Sequence, residues 1–496
     1  MAMAPGISHV MIRLLFVLHR YLGIAVGALM AMWCLSGVVM MYVSYPALQE
    51  STRLEHLAPI SWSGCCALGA ALPSDAAPVQ ELSIEMLAAR PVLSRRGAGS
   101  SSQLTDLTTG AAIGFITAAQ AAHVADAYVN PPHTSTPRLL GLIDYDQWTV
   151  AGDFDADRPL YHFGLSDGPR TELYVSSHTG HVVQLTTARE RLWNWVGAVP
   201  HWLYFAQLRR NAWLWSQVVM VTSLLGCFLA ATGIYIGVRQ LRRSPGGRFS
   251  PYRGFNLWHH VAGLIFGVLA LTWVLSGLLS INPWGWLEGE GPGPERARLQ
   301  GPAIAAVEVR ASIQALADVH LPDVVSISSA PLAGRLYFLA TTVDGARSRL
   351  DDRGAAAALG DTDLLTIAKI LKPTAAPAVP PLMTQEDAYY FRHHHDAAPL
   401  PVYKLASDDG SDTLYYIDPV SGDLAAKIDR HARGYRWWHQ GLHRMDFLPA
   451  LRARPQWDAL MLVLMSGVTV LCLSGAYLGY RRLMNPGRAS LDKYIK

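Results

Sequence analysis

Four stretches of this chain run for about 20 residues or more with almost no charge: Leu14 to Val43, Trp213 to Val238, Phe255 to Ile281 and Ala459 to Leu478. A helix rises 1.5 Å per residue, so each is long enough to cross a hydrocarbon layer of about 30 Å. Only 16% of the 496 residues are charged, which fits a membrane protein better than a soluble one. The first run follows Arg13 as a signal peptide would. Its length exceeds a usual signal core, no clear cleavage triplet ends it, and it has a twin deep inside the chain, so a retained helix is expected.

Orientation follows from the basic residues, because short loops rich in Lys and Arg stay in the cytoplasm. RQLRRSPGGRFSPYRG carries five arginines and no acid, and the tail RRLMNPGRASLDKYIK is also basic. The expected order is therefore a cytoplasmic end and first helix (1–45), an outer segment (46–212), a second helix (213–240) and a basic cytoplasmic loop (241–254). A third helix (255–282), a second outer segment (283–456), a fourth helix (457–480) and a cytoplasmic tail (481–496) complete it. In a Gram-negative bacterium the outer segments are periplasmic and the membrane is the inner one. The net charge of +3 sits on the inner face and reports topology, not nucleic-acid binding. Cys34, Cys227 and Cys472 fall in helices, and adjacent Cys65 and Cys66 are awkward to bridge, so no disulfide framework is expected. No CxxCH for covalent haem attachment occurs, and no CxxC pair for zinc.

The helices repeat. Aligning His19 with His259 also aligns Gly23 with Gly263, Gly27 with Gly267, Trp33 with Trp273, and Leu35-Ser36-Gly37 with Leu275-Ser276-Gly277. TGIYIGVRQLRR resembles SGAYLGYRRL at an offset of 242, and that offset carries His201 of PHWLYF onto His443 of LHRMDF. The outer segments echo each other as well: TELYVSSHTGHVV and DTLYYIDPVSGDLA each read as strand, Gly turn and returning strand. Two copies of one unit are implied.

Duplication gives four histidines in two equivalent pairs. His19 and His259 lie toward the cytoplasmic ends of helices one and three; His201 and His443 lie just before helices two and four, on the outer side. Two imidazoles opposed across a bundle suit a planar cofactor such as haem, which takes one axial nitrogen from each side. Gly23, Gly27, Gly263 and Gly267 follow the inner histidines at i+4 and i+8 and are expected to leave a flat slot for the macrocycle. GIAVG and GLIFG are equally the spacing of close helix packing. His260 and His439 are alternatives to His259 and His443; the repeat favours the latter two. Helix one from His19 to Tyr45 covers 26 residues, about 39 Å, with Trp33 or Trp273 available to shorten the path between two haems.

At these residues the chain resembles the PepSY-associated transmembrane proteins, which include membrane siderophore reductases. The resemblance is carried by His19 with Gly23, WHHVAGLIFG followed by TWVLSGLLS, LPVYKL, YYIDPVSGDL and GLHRMDF, and covers most of the chain. It implies two b-type haems whose iron is ligated by His19, His259, His201 and His443, small PepSY-like domains outside, and electron passage outward to a ferric siderophore. The fold expected is a membrane all-α four-helix bundle of two duplicated helix-domain-helix units, with two extracytoplasmic α+β PepSY-like domains.

No cytoplasmic part is large enough for a nicotinamide or flavin domain, so the donor is membrane quinol or a separate cytoplasmic reductase. Arg13, Arg20 and Arg253 are candidates to hold propionates, or plain positive-inside anchors. Trp193, Trp195, Trp437 and Trp438 read as interfacial belt residues, with haem walls as a second role. His393, His394, His395 and Asp396 form a run that consecutive residues cannot easily close on one ion, so it reads first as a solvated loop and second as a transient contact for metal or substrate. The rival functions are a non-redox transporter or assembly factor with a midplane path, and a periplasmic interaction module anchored by four helices.

Overall fold

The computed structural model describes residues 5–97, 102–129, 136–242, 249–319, 321–374, 376–391, 398–407 and 410–484. The His393 to Asp396 run lies outside the described residues. The chain forms two compact units: Met1–Tyr45, Leu192–Glu288 and His431–Lys496 make one, and Pro46–Arg191 with Gly289–Arg430 make the other.

The first unit is helical. Its elements are α1 (Pro5–Met40), α2 (Ala198–Trp202), α3 (Ala212–Arg242), α4 (Phe255–Ser280) and α5 (Gln456–Met484). Four of these, over Val10–Met40, Ala212–Leu241, Phe255–Ser280 and Gln456–Met484, are long and apolar enough to cross a membrane. Both α1 and α4 pack against α3 and α5. Val26, Met30 and Ala31 of α1 meet Leu229, Ala270, Val468 and Cys472 in a shared core. Large apolar side chains such as Leu224, Phe228, Ile265, Val268, Val463 and Val470 remain exposed on the outer faces. That apolar outside is what lipid requires and water penalises.

The second unit joins the two outer segments, which the sequence suggests as separate domains. Its strands are β1 (Glu81–Leu87), β2 (Arg90–Arg96), β3 (Gln103–Asp106), β4 (Ala112–Ile113), β5 (Arg138–Ile143), β6 (Leu160–Gly164), β7 (Glu172–Ser176) and β8 (Val182–Thr186). From the second copy come β9 (Val324–Ser329), β10 (Phe338–Thr342), β11 (Arg347–Leu350), β12 (Leu382–Met383), β13 (Val402–Ala406), β14 (Leu414–Ile417) and β15 (Leu424–Ile428). One seven-stranded sheet runs β11-β10-β9-β1-β2-β3-β4, so strands of the two copies pair at its centre. Ile84 faces Ile327, flanked by Ser83 opposite Ser328 and Glu85 opposite Ser326. Ile84 and Ile327 stand opposite each other at the centre of this antiparallel pairing between the copies. Leu72, Ile84 and Leu93 share one core with Ile313, Ile327 and Phe338 from the other copy. Hydrophobic burial across the copies, which strand periodicity alone does not reveal, overrides the two-domain division.

Two four-stranded meanders, β5-β6-β7-β8 and β12-β13-β14-β15, repeat at the offset of the histidines. Gly180 and Gly422 stand at equivalent turns with φ of 72° and 78°, a left-handed conformation that favours glycine. Residues 192–212 and 431–456 pack with the helical unit. Cys65 and Cys66 are joined as a vicinal disulfide, contrary to expectation. Ile327→Val, which removes one methyl at the seam between the copies, should destabilise the chain by about 1 kcal/mol, read by denaturant unfolding of the full protein.

Candidate haem-ligating histidine pairs

The inner pair is built by four helices. His19 of α1 and His259 of α4 face one another with ring centres 6.4 Å apart, planes inclined at 40°. Nδ1 of His19 donates to the Leu229 carbonyl at 3.1 Å and lies 3.4 Å from Thr232 Oγ1. His259 repeats this on α5, with the Leu471 carbonyl at 3.3 Å and Ser474 Oγ at 3.1 Å. Thr232 and Ser474 each donate their own proton to a carbonyl of their own helix, Phe228 at 2.8 Å and Leu471 at 2.9 Å. They can therefore only accept from the imidazole, which puts the proton on Nδ1 and leaves the Nε2 lone pair free.

The outer pair follows the same rule with the partners exchanged. His201 of α2 and His443, in the helical turn Leu442–Arg444, have ring centres 6.1 Å apart with planes at 73°. His201 Nδ1 meets the Trp33 carbonyl and Ser36 Oγ, both at 3.1 Å. His443 Nδ1 meets Ser276 Oγ at 3.0 Å and the Trp273 carbonyl. Ser36 and Ser276 spend their protons on Met32 and Trp273 carbonyls at 2.7 and 2.9 Å. Burial holds His201 at about 4 and drives His443 well below its ordinary value. Both imidazoles are neutral at physiological pH.

A glycine lies beside each ring. A β-carbon at Gly233 would stand 2.7 Å from His19 Cε1, and one at Gly475 would stand 3.0 Å from His259 Cε1. At Gly37 and Gly277 the distances to His201 and His443 Cε1 are 3.3 and 3.8 Å. Each histidine thus rests on a Ser/Thr-Gly dipeptide of a long helix: Thr232-Gly233, Ser474-Gly475, Ser36-Gly37 and Ser276-Gly277. The hydroxyl and the carbonyl together fix the tautomer, and at Gly233, Gly475 and Gly37 the missing side chain makes room for the ring, whereas Gly277 is in ordinary contact with His443.

The glycines singled out from spacing behave differently. Positions occupied by a β-carbon at Gly23 and Gly263 face Leu229 and Leu471 at 3.9 and 3.6 Å, and those at Gly27 and Gly267 face the Ala476 backbone at 3.9 Å and Ile234 at 3.1 Å. They set the close helix approach that brings the Leu229 and Leu471 carbonyls to the histidines, and do not line an open slot. This is the packing alternative of the GxxxG pattern.

The neighbouring histidines separate as well. His260 is buried, its Nδ1 2.8 Å from Ser250 Oγ and its Nε2 2.9 Å from the Gly237 carbonyl, so both nitrogens are engaged within the protein. His439 Nδ1 donates to the Ser276 carbonyl at 2.9 Å, and its ring lies 5.5 Å from that of His443. The outer histidines also sit nearer the inner pair than the helix end at Tyr45 suggests. His201 touches α1 at Ser36, 17 residues from His19, and His443 touches α4 at Ser276, 17 residues from His259, each about 26 Å of helix. Arg13 and Arg253 are exposed and Arg20 is half-buried. Trp193, Trp195 and Trp438 are exposed, whereas Trp437 is parallel to Phe447 and lies 4.6 Å from the Arg436 guanidinium. No family model matches the chain, and no curated protein matches it either.

Sequence reasoning missed Thr232, Gly233, Ser474 and Gly475. The signal was present in TGIYIGVRQLRR and SGAYLGYRRL, where a hydroxyl residue and a glycine recur at the start of both motifs. Thr232→Val keeps the shape and removes one of the two acceptors of His19, leaving the Leu229 carbonyl. If the inner pair holds a haem, this change should weaken its binding by about 10-fold to 100-fold, measured by haem titration of the stripped protein.

Proposed function

We propose that the chain is an integral inner-membrane protein of the PepSY-associated transmembrane type, a four-helix bundle that holds two b-type haems and reduces an extracytoplasmic ferric siderophore. The observation that carries this reading is the spacing of the two histidine pairs. An imidazole nitrogen lies about 1.2 Å from its ring centre and about 2 Å from a bound metal ion, so two rings in line through one ion have centres about 6.4 Å apart. The separations of 6.4 and 6.1 Å agree with that value at both levels. Rotation about the shared axis leaves the angle between the planes free.

The residues present fit the group. All four Nδ1 atoms are tied, which leaves Nε2 as the ligand atom, and a glycine lies beside each ring. The indole N–H groups of repeat mates Trp33 and Trp273 are buried without an acceptor among the described residues. A buried orphan donor costs about 1–3 kcal/mol, and a haem carboxylate is an acceptor of the kind they lack. Bound haem supplies one-electron transfer at an iron whose potential is set by its axial ligands and burial.

The chain's own part is positional. Leu229, Leu471, Trp33 and Trp273 carbonyls orient the imidazoles, the apolar core about Val26, Ala270 and Val468 excludes water, and the two levels stand one above the other along α1. One-electron delivery to ferric iron needs no nucleophile or general base. The donor in this reading is membrane quinol or a separate cytoplasmic reductase. Purified protein should show a Soret band, α-band absorption on reduction, and two haems per polypeptide. A colourless preparation from haem-replete cells would defeat the proposal.

A further inference from the structure

We infer that the two copies are inequivalent at the outer level, because His439 is a standby iron ligand able to take the place of His443 opposite His201. This rests on the di-haem reading above. The repeat offset carries His439 onto Gly197, so only the second copy has an imidazole there. Gly197 has no room for one: a β-carbon would stand 3.0 Å from Val39 Cγ1 and 3.1 Å from the Trp193 carbonyl.

The geometry on the second-copy side is that of two ligands on one mount. Ser276 holds both rings, accepting from His443 Nδ1 with its hydroxyl and from His439 Nδ1 with its carbonyl, at 3.0 and 2.9 Å. A carbonyl can only accept, so His439 also carries its proton on Nδ1 and presents Nε2 as a ligand atom. The two rings lie 5.5 Å apart at 36°, four residues along one face.

The intervening segment, Arg436–Gly441, is π-helical, a wider turn that recurs at functional sites. It is anchored by a buried ion pair, Arg436 Nη1 to Asp446 Oδ1 at 2.8 Å, so the change we infer is a swing of the His439 side chain and not a shift of the backbone. The exchange breaks one iron–nitrogen bond and makes another, with no electron or proton transferred.

The test compares His201→Ala, His443→Ala, His439→Ala and the double variant His439→Ala/His443→Ala in the full-length protein, reading haem per polypeptide and the low-spin absorption and electron paramagnetic resonance signals. With two haems in the wild type, His201→Ala should keep one. His443→Ala should keep nearly two, with an altered low-spin signal from the new ligand, and the double variant should keep one. His439→Ala alone should keep two. Retention of the inner haem in every variant shows that each has folded. If His443→Ala loses a full haem as His201→Ala does, His439 is not a ligand and the inference falls while the di-haem reading stands. If the wild type binds no haem, both fall.

Discussion

Substitution of His19 by Ala should leave one haem per polypeptide instead of two. The ring is one of two whose centres lie 6.4 Å apart, and no other imidazole of α1 stands at that level. His260, the nearest spare imidazole, has both nitrogens engaged with Ser250 and Gly237. With His19 gone, His259 alone would supply a nitrogen at the inner level, where the proposed haem would need one from each side. The outer pair, about 26 Å away along α1, keeps its own partners, so the loss is half and not whole. His259→Ala should give the same result, and the double variant no greater loss than either alone, because in the proposed di-haem reading both rings serve one ion. Haem assay against protein mass decides it. Unchanged content in both single variants would move the site elsewhere.

Gly233→Val should abolish the inner site as completely as loss of the histidine, without touching a ligand. The new β-carbon would fall 2.7 Å from His19 Cε1, and two further methyl groups point from it. Because β-branched side chains in helices are stiff about χ1, the imidazole must leave its bond to the Leu229 carbonyl. Overpacking of this kind costs about 1–3 kcal/mol, and the repeat requires Gly475→Val to act alike on His259. Gly23→Ala is the control: its methyl would meet Leu229 Cδ1 at 3.9 Å, an ordinary contact, and both haems should remain. The comparison separates a glycine that seats a ring from one that spaces two helices. Equal haem loss in Gly233→Val and Gly23→Ala would refute that division.

Much of the helical unit was legible because its determinants are local or repeated. Length and lack of charge mark the four apolar helices, and the constant offset marks His19, His259, His201 and His443. Gly23 and Gly27 could not be assigned from spacing, since a small residue at i+4 serves a helix contact and a cofactor slot equally well; only the identity of the facing atom, Leu229 or Ala476, separates them. Thr232 and Ser474 stayed hidden for another reason. Mid-helix hydroxyls usually bond a carbonyl one turn back in their own helix, and these do, Thr232 at i−4 and Ser474 at i−3, while also accepting from a histidine some 210 residues away. The union of the outer segments was beyond periodicity. β1 and β9 each alternate as any strand does, and their pairing is set by which other apolar face is available to cover Ile84 and Phe338.

The pairing of β1 with β9 has a consequence for how such a chain arises. A molecule bearing one copy would present β1 as a bare edge of unsatisfied amides and carbonyls, an edge that a strand of a second molecule could cover. Association of two short chains would then be obligatory and would weaken on dilution. Fusion into one polypeptide makes that encounter intramolecular and frees each half to evolve alone. Only after that release can one half acquire His439 while the other retains Gly197.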